Sequence, residues 1–115
     1  MKVKTSELSG NQLDWAVAKA EGWEVEFGNE TFRDGLFFPS SYFQDGKSCS
    51  PSTDWAQGGP IIEREGIALE KYRDYWVANP TRDPTMHGST PLIAAMRCYV
   101  ASKLGDEVEV HHAPA

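Results

Sequence analysis

Residues 51–67 read PSTDWAQGGPIIEREGI, and the fold is read outward from them. A polar cluster (Ser52, Thr53, Asp54), a tryptophan (Trp55), a Gly58-Gly59-Pro60 corner and an apolar pair (Ile61, Ile62) share one short stretch. Thr53 or Asp54 suits a helix N-cap, because a short side-chain oxygen can accept from the first free backbone amides. Trp55-Ala56-Gln57 then begins a helix, and Gly66 ends it. Pro60 lacks a backbone donor, at a cost of about 3 kcal/mol inside a helix. A kink or a restart is therefore expected at residues 58–60.

Downstream, residues 67–77 alternate loosely and carry Tyr75, Trp76 and Val77, which predicts a strand covered on both faces. Residues 79–89 hold Pro80, Pro84 and Gly88 and read as a loop. Thr90-Pro91 announces the clearest helix, with Thr90 as N-cap and Pro91 at the first position. Leu92, Ile93, Met96, Val100 and Leu104 fall on one arc of about 120°, the core face. Arg97 lies at the edge of that arc, where its stem can pack while its head reaches a cleft. Gly105 stops the helix, Val108 and Val110 suggest a short final strand, and residues 111–115 read as a loose tail.

Upstream, residues 1–5 suit an edge strand or a simple lead-in. Ser9 and Gln12 have capping-box spacing before a helix over residues 10–21, with Gly22 as its stop. Leu13, Ala16, Val17 and Ala20 share its inner face. Trp15 falls nearly opposite, beside Asp14 and Lys19, and is assigned to packing within the chain or to an oligomer interface or ligand contact. Trp23-Glu24-Val25-Glu26-Phe27 alternates as a half-buried strand, and Gly28-Asn29 marks a turn. Residues 31–38 form a further strand or, split at Asp34-Gly35, a hairpin. The adjacent Phe37 and Phe38 would face opposite sides. Residues 39–53 read as a long loop holding Tyr42, and loops of that length often serve a function.

The bulk numbers bound the rest. A chain of 115 residues suits a single domain over 1–115. An ordinary hydrophobic share of 40% argues against disorder. The net charge of −6, with no run of basic residues, argues against bulk nucleic-acid binding. It leaves room for a small anion held locally. No apolar run reaches membrane-spanning length, and no apolar leader precedes Ser9. Cys49 and Cys98 read as a reduced pair, although a disulfide stays open. The order of elements gives an α+β fold, an α/β/α-like sandwich in which a small, mainly antiparallel sheet packs with about three helices.

Three blocks, LDWAVAKAEGW, PSTDWAQGGPIIEREGI and TPLIAAMRCYVASKLGDEVEV, closely resemble the NinX-like family of tailed bacteriophages. They are also similar to a broader phage α/β/α sandwich domain. The resemblance covers most of the chain apart from residues 28–50 and 79–89. It implies a phage origin, action in the host cytoplasm and an accessory role. It carries over no catalytic residues.

The candidate chemistry is correspondingly narrow. His87, His111 and His112 lack the ligand spacing of a zinc site, so no metal and no cofactor is expected. No nucleophile elbow is present, and Asp54 paired with Glu63 or Glu65 serves better as a cap than as a catalytic carboxylate pair. No catalytic residue is assigned. The favoured site is a ligand pocket built by Tyr42, Ser52, Thr53, Asp54, Trp55, Gly58, Gly59, Thr90 and Arg97. In it, helix-start donors and one arginine would hold an anion while Trp55 or Tyr42 stacks a base. The first expectation is thus a non-enzymatic binder of a small nucleotide-like ligand, sequestering a host defence signal and assembling as a homo-oligomer. The alternatives are a protein-interaction module acting on a host or phage protein, and a small hydrolase.

Overall fold

A computed structural model describes residues 2–33, 36–79 and 85–109, with backbone alone over 27–33, 36–41 and at 109. The elements run β1 (Lys2–Lys4), a 3-10 turn (Thr5–Glu7), α1 (Gly10–Glu21), β2 (Glu26–Arg33), β3 (Leu36–Tyr42), α2 (Trp55–Glu65), β4 (Ala68–Lys71), β5 (Trp76–Asn79), β6 (Met86–Gly88), α3 (Pro91–Leu104) and β7 (Glu107–Glu109). The fold is α+β, as expected, but its strands form three small antiparallel sheets: β1 with β7, β2 with β3, and β4-β5-β6.

The centre is α3. Thr90 caps it, its Oγ1 accepting from the Ile93 amide at 3.1 Å, and Pro91 follows at the first turn. The expected apolar arc was too narrow. Ala94, Ala95, Cys98, Tyr99 and Ala101 are buried as well as Leu92, Met96 and Val100. A helix enclosed on most sides needs small residues where neighbours come close, and the alanines supply them. β6 takes advantage of this: a Cβ on Gly88 would stand 2.5 Å from the Ala94 amide nitrogen. Tyr99, 2% exposed, pins the far end by donating its hydroxyl to Glu21 at 3.1 Å. Arg64 of α2 meets the same Glu21 at 2.9 Å, so all three helices converge there.

Several expected boundaries move. Trp23 does not open a strand, because its amide is used in closing α1, donating to the Ala18 carbonyl at 2.9 Å beside a left-handed Gly22. The strand begins at Glu26 instead. Gly28-Asn29 is not a turn but a register shift inside β2, between Phe27 and Glu30. The split at Asp34-Gly35 agrees with a hairpin, since Arg33 pairs with Leu36, although 34 and 35 lie outside the described residues. The facing of Phe37 and Phe38 also lies outside the described side chains. The expected loop from residue 39 starts later: β3 continues to Tyr42, with Pro39 opposite Glu30 and Tyr42 opposite Glu26.

Residues 67–77 are not one strand. The Tyr72 amide donates to the Tyr75 carbonyl at 2.9 Å around Arg73-Asp74, which folds the stretch into the β4–β5 hairpin. Tyr75 is 40% exposed, contrary to the expectation of covered faces. Part of the stretch read as a loop, Met86–Gly88, pairs with β5 as β6. The final strand is found at Glu107–Glu109, and Val110 lies outside the described residues. It closes the chain against β1, with Val3 opposite Val108. Thr5 ties the same ends, donating from Oγ1 to the Gly105 carbonyl at 2.6 Å.

Candidate functional site

The corner leading into α2 is built almost entirely from its own polar groups. Asp54 is the N-cap, and its Oδ1 accepts from the Ala56 amide at 2.9 Å. Three residues on, Gln57 turns back. Its Oε1 accepts from the Ser50 amide at 2.8 Å, and its Nε2 donates to the Ser48 carbonyl at 2.8 Å and to Asp54 Oδ2 at 3.1 Å. The Thr53 and Asp54 amides both donate to the Ser50 carbonyl, at 3.1 and 2.8 Å. Residues 48–57 are therefore cross-tied by their own hydrogen bonds, which favours a rigid loop over an adaptable one.

Beneath the corner lies Asp14 of α1. It is 6% exposed, and its Oδ1 accepts from the Ser52 amide at 2.8 Å. Burial raises its carboxyl pKa to about 6, against the lowering effect of hydrogen bonding to Ser52. Ser52 is itself 2% exposed, and its hydroxyl meets no partner of hydrogen-bonding geometry among the described residues. Cys49 is buried nearby. Burial and then the Asp14 charge push its thiol up to about 11, which leaves it an unreactive thiol at neutral pH. Burial does the same to Cys98, and no disulfide links the two.

The predicted site residues divide into groups. Ser52, Thr53, Asp54, Trp55, Gly58 and Gly59 are brought together in the corner and the first turns of α2. Pro60 does not interrupt that helix, which runs unbroken over Trp55–Glu65 and ends on a left-handed Gly66. Gly58 is there for packing, since a Cβ would come within 2.4 Å of the Pro51 carbonyl oxygen and 2.7 Å of Leu92 Cδ2. It lets the loop and α3 approach α2. Gly59 has no such constraint, its nearest neighbour being the Trp55 ring at 3.9 Å. Trp55 stands out of the corner, 53% exposed.

The remaining candidates are placed by other contacts. Tyr42 ends β3 and bridges to Ser48, which ties the hairpin to the corner. Thr90 uses its side chain to cap α3. Arg97 donates from Nε to the Leu8 carbonyl at 2.7 Å and from Nη1 to the His87 carbonyl at 2.9 Å. Those partners join the start of the chain and β6 to α3, and neither belongs to the corner. Trp15 packs partly buried against the core, with the Lys19 ammonium 5.1 Å from its ring centre.

Two further residues complete the corner, Gln57 and Asp14. Gln57 was legible in the sequence, because Asp54 and Gln57 have the same capping-box spacing as Ser9 and Gln12. The structure uses the side chains of the second pair, although Asp54 caps the Ala56 amide and Gln57 reaches the Ser50 amide rather than closing the reciprocal bonds of a capping box. Ser9 makes no side-chain cap, and Gln12 Nε2 is buried without a partner among the described residues. Asp14 gave no signal, since an acid beside the polar face of an amphipathic helix reads as solvent-exposed. Among the described residues, no three His, Cys, Asp or Glu side chains converge as metal ligands, and no helix is long and apolar enough to cross a membrane.

Comparison with known families decides the assignment. The family described as Bacteriophage P22, NinX matches residues 4–103, which takes in α1, the corner and nearly all of α3. The chain belongs to the bacteriophage P22 NinX family. No curated protein matches it. Membership makes this a phage protein. It places the Asp14-supported corner inside the part of the chain that a NinX protein shares with its family.

Proposed function

We propose that this NinX-family chain is a phage accessory protein that acts by binding, in the host cytoplasm, and that Trp55 is its point of contact. One observation carries the reading. Most polar groups of the corner bond one another or Asp14, with the Ser52 hydroxyl the exception among the described residues, while the tryptophan they support is 53% exposed. A large aromatic on a rigid base is well suited to recognition, because little side-chain freedom is lost when it is covered.

The occupant favoured is a protein surface, so the protein would block or redirect a host or phage protein. A phosphate is served less well. The positive end of α2 already faces the Asp54 carboxylate, and a free anion would have to displace it. The test replaces Trp55 with a photo-crosslinking phenylalanine analogue in phage-infected cells, with the exposed Ser102 as the control position. The expected result is a discrete adduct with one other protein from position 55 and none from 102. Equal labelling from both positions would overturn the reading.

The second reading is a small nucleotide-like host defence signal, sequestered with its base stacked on Trp55. It is favoured by Gly59, because any side chain there would lie against the ring and cover that flank. A specific rise in melting temperature with one member of a nucleotide panel, lost in Trp55→Ala, would support it over the protein partner.

A further inference from the structure

The four tryptophans differ in what stands against their rings. The Lys19 ammonium is 5.1 Å from the Trp15 ring centre, and the Lys71 ammonium 6.0 Å from that of Trp76. Trp23 meets Phe43 edge-on at 5.5 Å. Trp55 is 53% exposed, and among the described residues neither a cation nor a second ring stands against it. Its surroundings on α2 are acceptors. The ring runs along the helix, since a Cβ on Gly59 would stand 3.9 Å from its Cε3. Residue 63 follows one turn further on the same side, and helical side chains lean back toward the N-terminus. The Glu63 carboxylate is therefore on the ring's side of α2. It is exposed and pairs with no other described residue. Pro60, also exposed, brings no amide to the Ala56 carbonyl four residues back.

The nearby bases are turned elsewhere. Arg64 donates to Glu21 and Glu65, and Lys103 meets Glu65 at 3.5 Å. Lys47 precedes Ser48, whose carbonyl is held by Gln57 on the far flank of α2. The positive end of the helix is already faced by Asp54.

We propose that this site takes an arginine side chain of a partner protein, its guanidinium stacked on the Trp55 indole and forked between the Glu63 carboxylate and the Ala56 carbonyl. The inference rests on the reading of Trp55 as the point of contact and adds the chemistry of what meets it. Three acceptors select the occupant: a π face, a carboxylate and a carbonyl. An apolar side chain would cover the ring but leave Glu63 to lose water without a partner. An acid or a phosphate would meet Glu63 with like charge. Lysine fits less well, because a guanidinium is planar, stacks on a ring and donates in several directions at once, whereas an ammonium is a compact, strongly hydrated charge. The chain's excess of 17 acidic over 11 basic residues draws in either cation and does not separate them.

Isothermal titration calorimetry with acetylated, amidated hexa-arginine and hexa-lysine tests the proposal. The two peptides carry the same charge, so net charge alone binds them equally. The wild-type chain should bind hexa-arginine about fivefold tighter than hexa-lysine, and Trp55→Ala should abolish that preference. Glu63→Gln should weaken hexa-arginine about threefold. Glu7→Gln, the same change of charge at an exposed acid of the 3-10 turn, should weaken it far less. Equal binding of the two peptides would overturn the proposal, as would equal effects of Glu63→Gln and Glu7→Gln. The photo-crosslink at position 55 keeps the two claims apart. An adduct there beside equal peptide binding removes the arginine and keeps Trp55 as the contact, whereas no adduct removes both.

Discussion

Asp14 is the residue at which burial and charge conflict most openly. It sits 6% exposed under the corner and accepts from the Ser52 amide, and burial lifts its pKa from 3.8 to about 6. Between those values the folded chain holds a proton that the unfolded chain releases. This group therefore makes stability fall as pH rises from 3.8 to 6, and the penalty is complete above that window. A shift of this size corresponds to at most about 3 kcal/mol. Asp14→Asn keeps an oxygen for the Ser52 amide and removes the titration. Urea denaturation should find this variant more stable than wild type at neutral pH, with the difference shrinking steadily as the pH is lowered through that window. A difference independent of pH would mean that Asp14 is not buried as described. Its role was not legible in the sequence. A helical wheel marks Asp14 as polar but cannot show that a loop 38 residues away will fold over it.

At the scale of elements, the two adjacent glycines of α2 separate packing from propensity. Gly58 faces a backbone carbonyl and the Leu92 side chain at distances no Cβ can hold. Gly58→Ala must push the loop or α3 aside, and should cost about 1–3 kcal/mol. Gly59 has space and lies in the same helix, so Gly59→Ala should stabilise by roughly 0.5–1 kcal/mol. Thermal melts of the pair check both signs, and equal effects would contradict the packing described. The sequence located this corner and its capping acid, but the helix restart it offered at Pro60 is not found. The proline interrupts neither α2 nor its burial of Ile61, because packing against α3 outweighs one missing hydrogen bond. Arg97 shows the converse limit. Its place at the edge of the α3 arc was legible, but its role was not. The carbonyls of Leu8 and His87 that engage it are 89 and 10 residues away in the chain.

Across the whole molecule, the helices were the most legible elements, because caps and glycine stops are local chemistry: Asp54, Thr90, Gly22 and Gly66 all sit where they were expected. The strands were less so. β4, β5 and β6 are three or four residues each and are defined by pairing, which alternation over so short a run does not encode. The same distinction governs the site. Ser52, Thr53, Asp54 and Trp55 could be named from the sequence, but it took the fold to show that most polar groups of the corner are bonded within it or to Asp14 and that Trp55 stands 53% exposed. Amide hydrogen exchange followed residue by residue tests that claim most directly. The Ser52 and Asp54 amides should be protected to within roughly tenfold of the amides at the centre of α3, while the Trp55 indole proton exchanges freely. Exchange of those amides at open-loop rates would contradict the account, since a corner that must wait for a ligand to order it is no scaffold for the tryptophan.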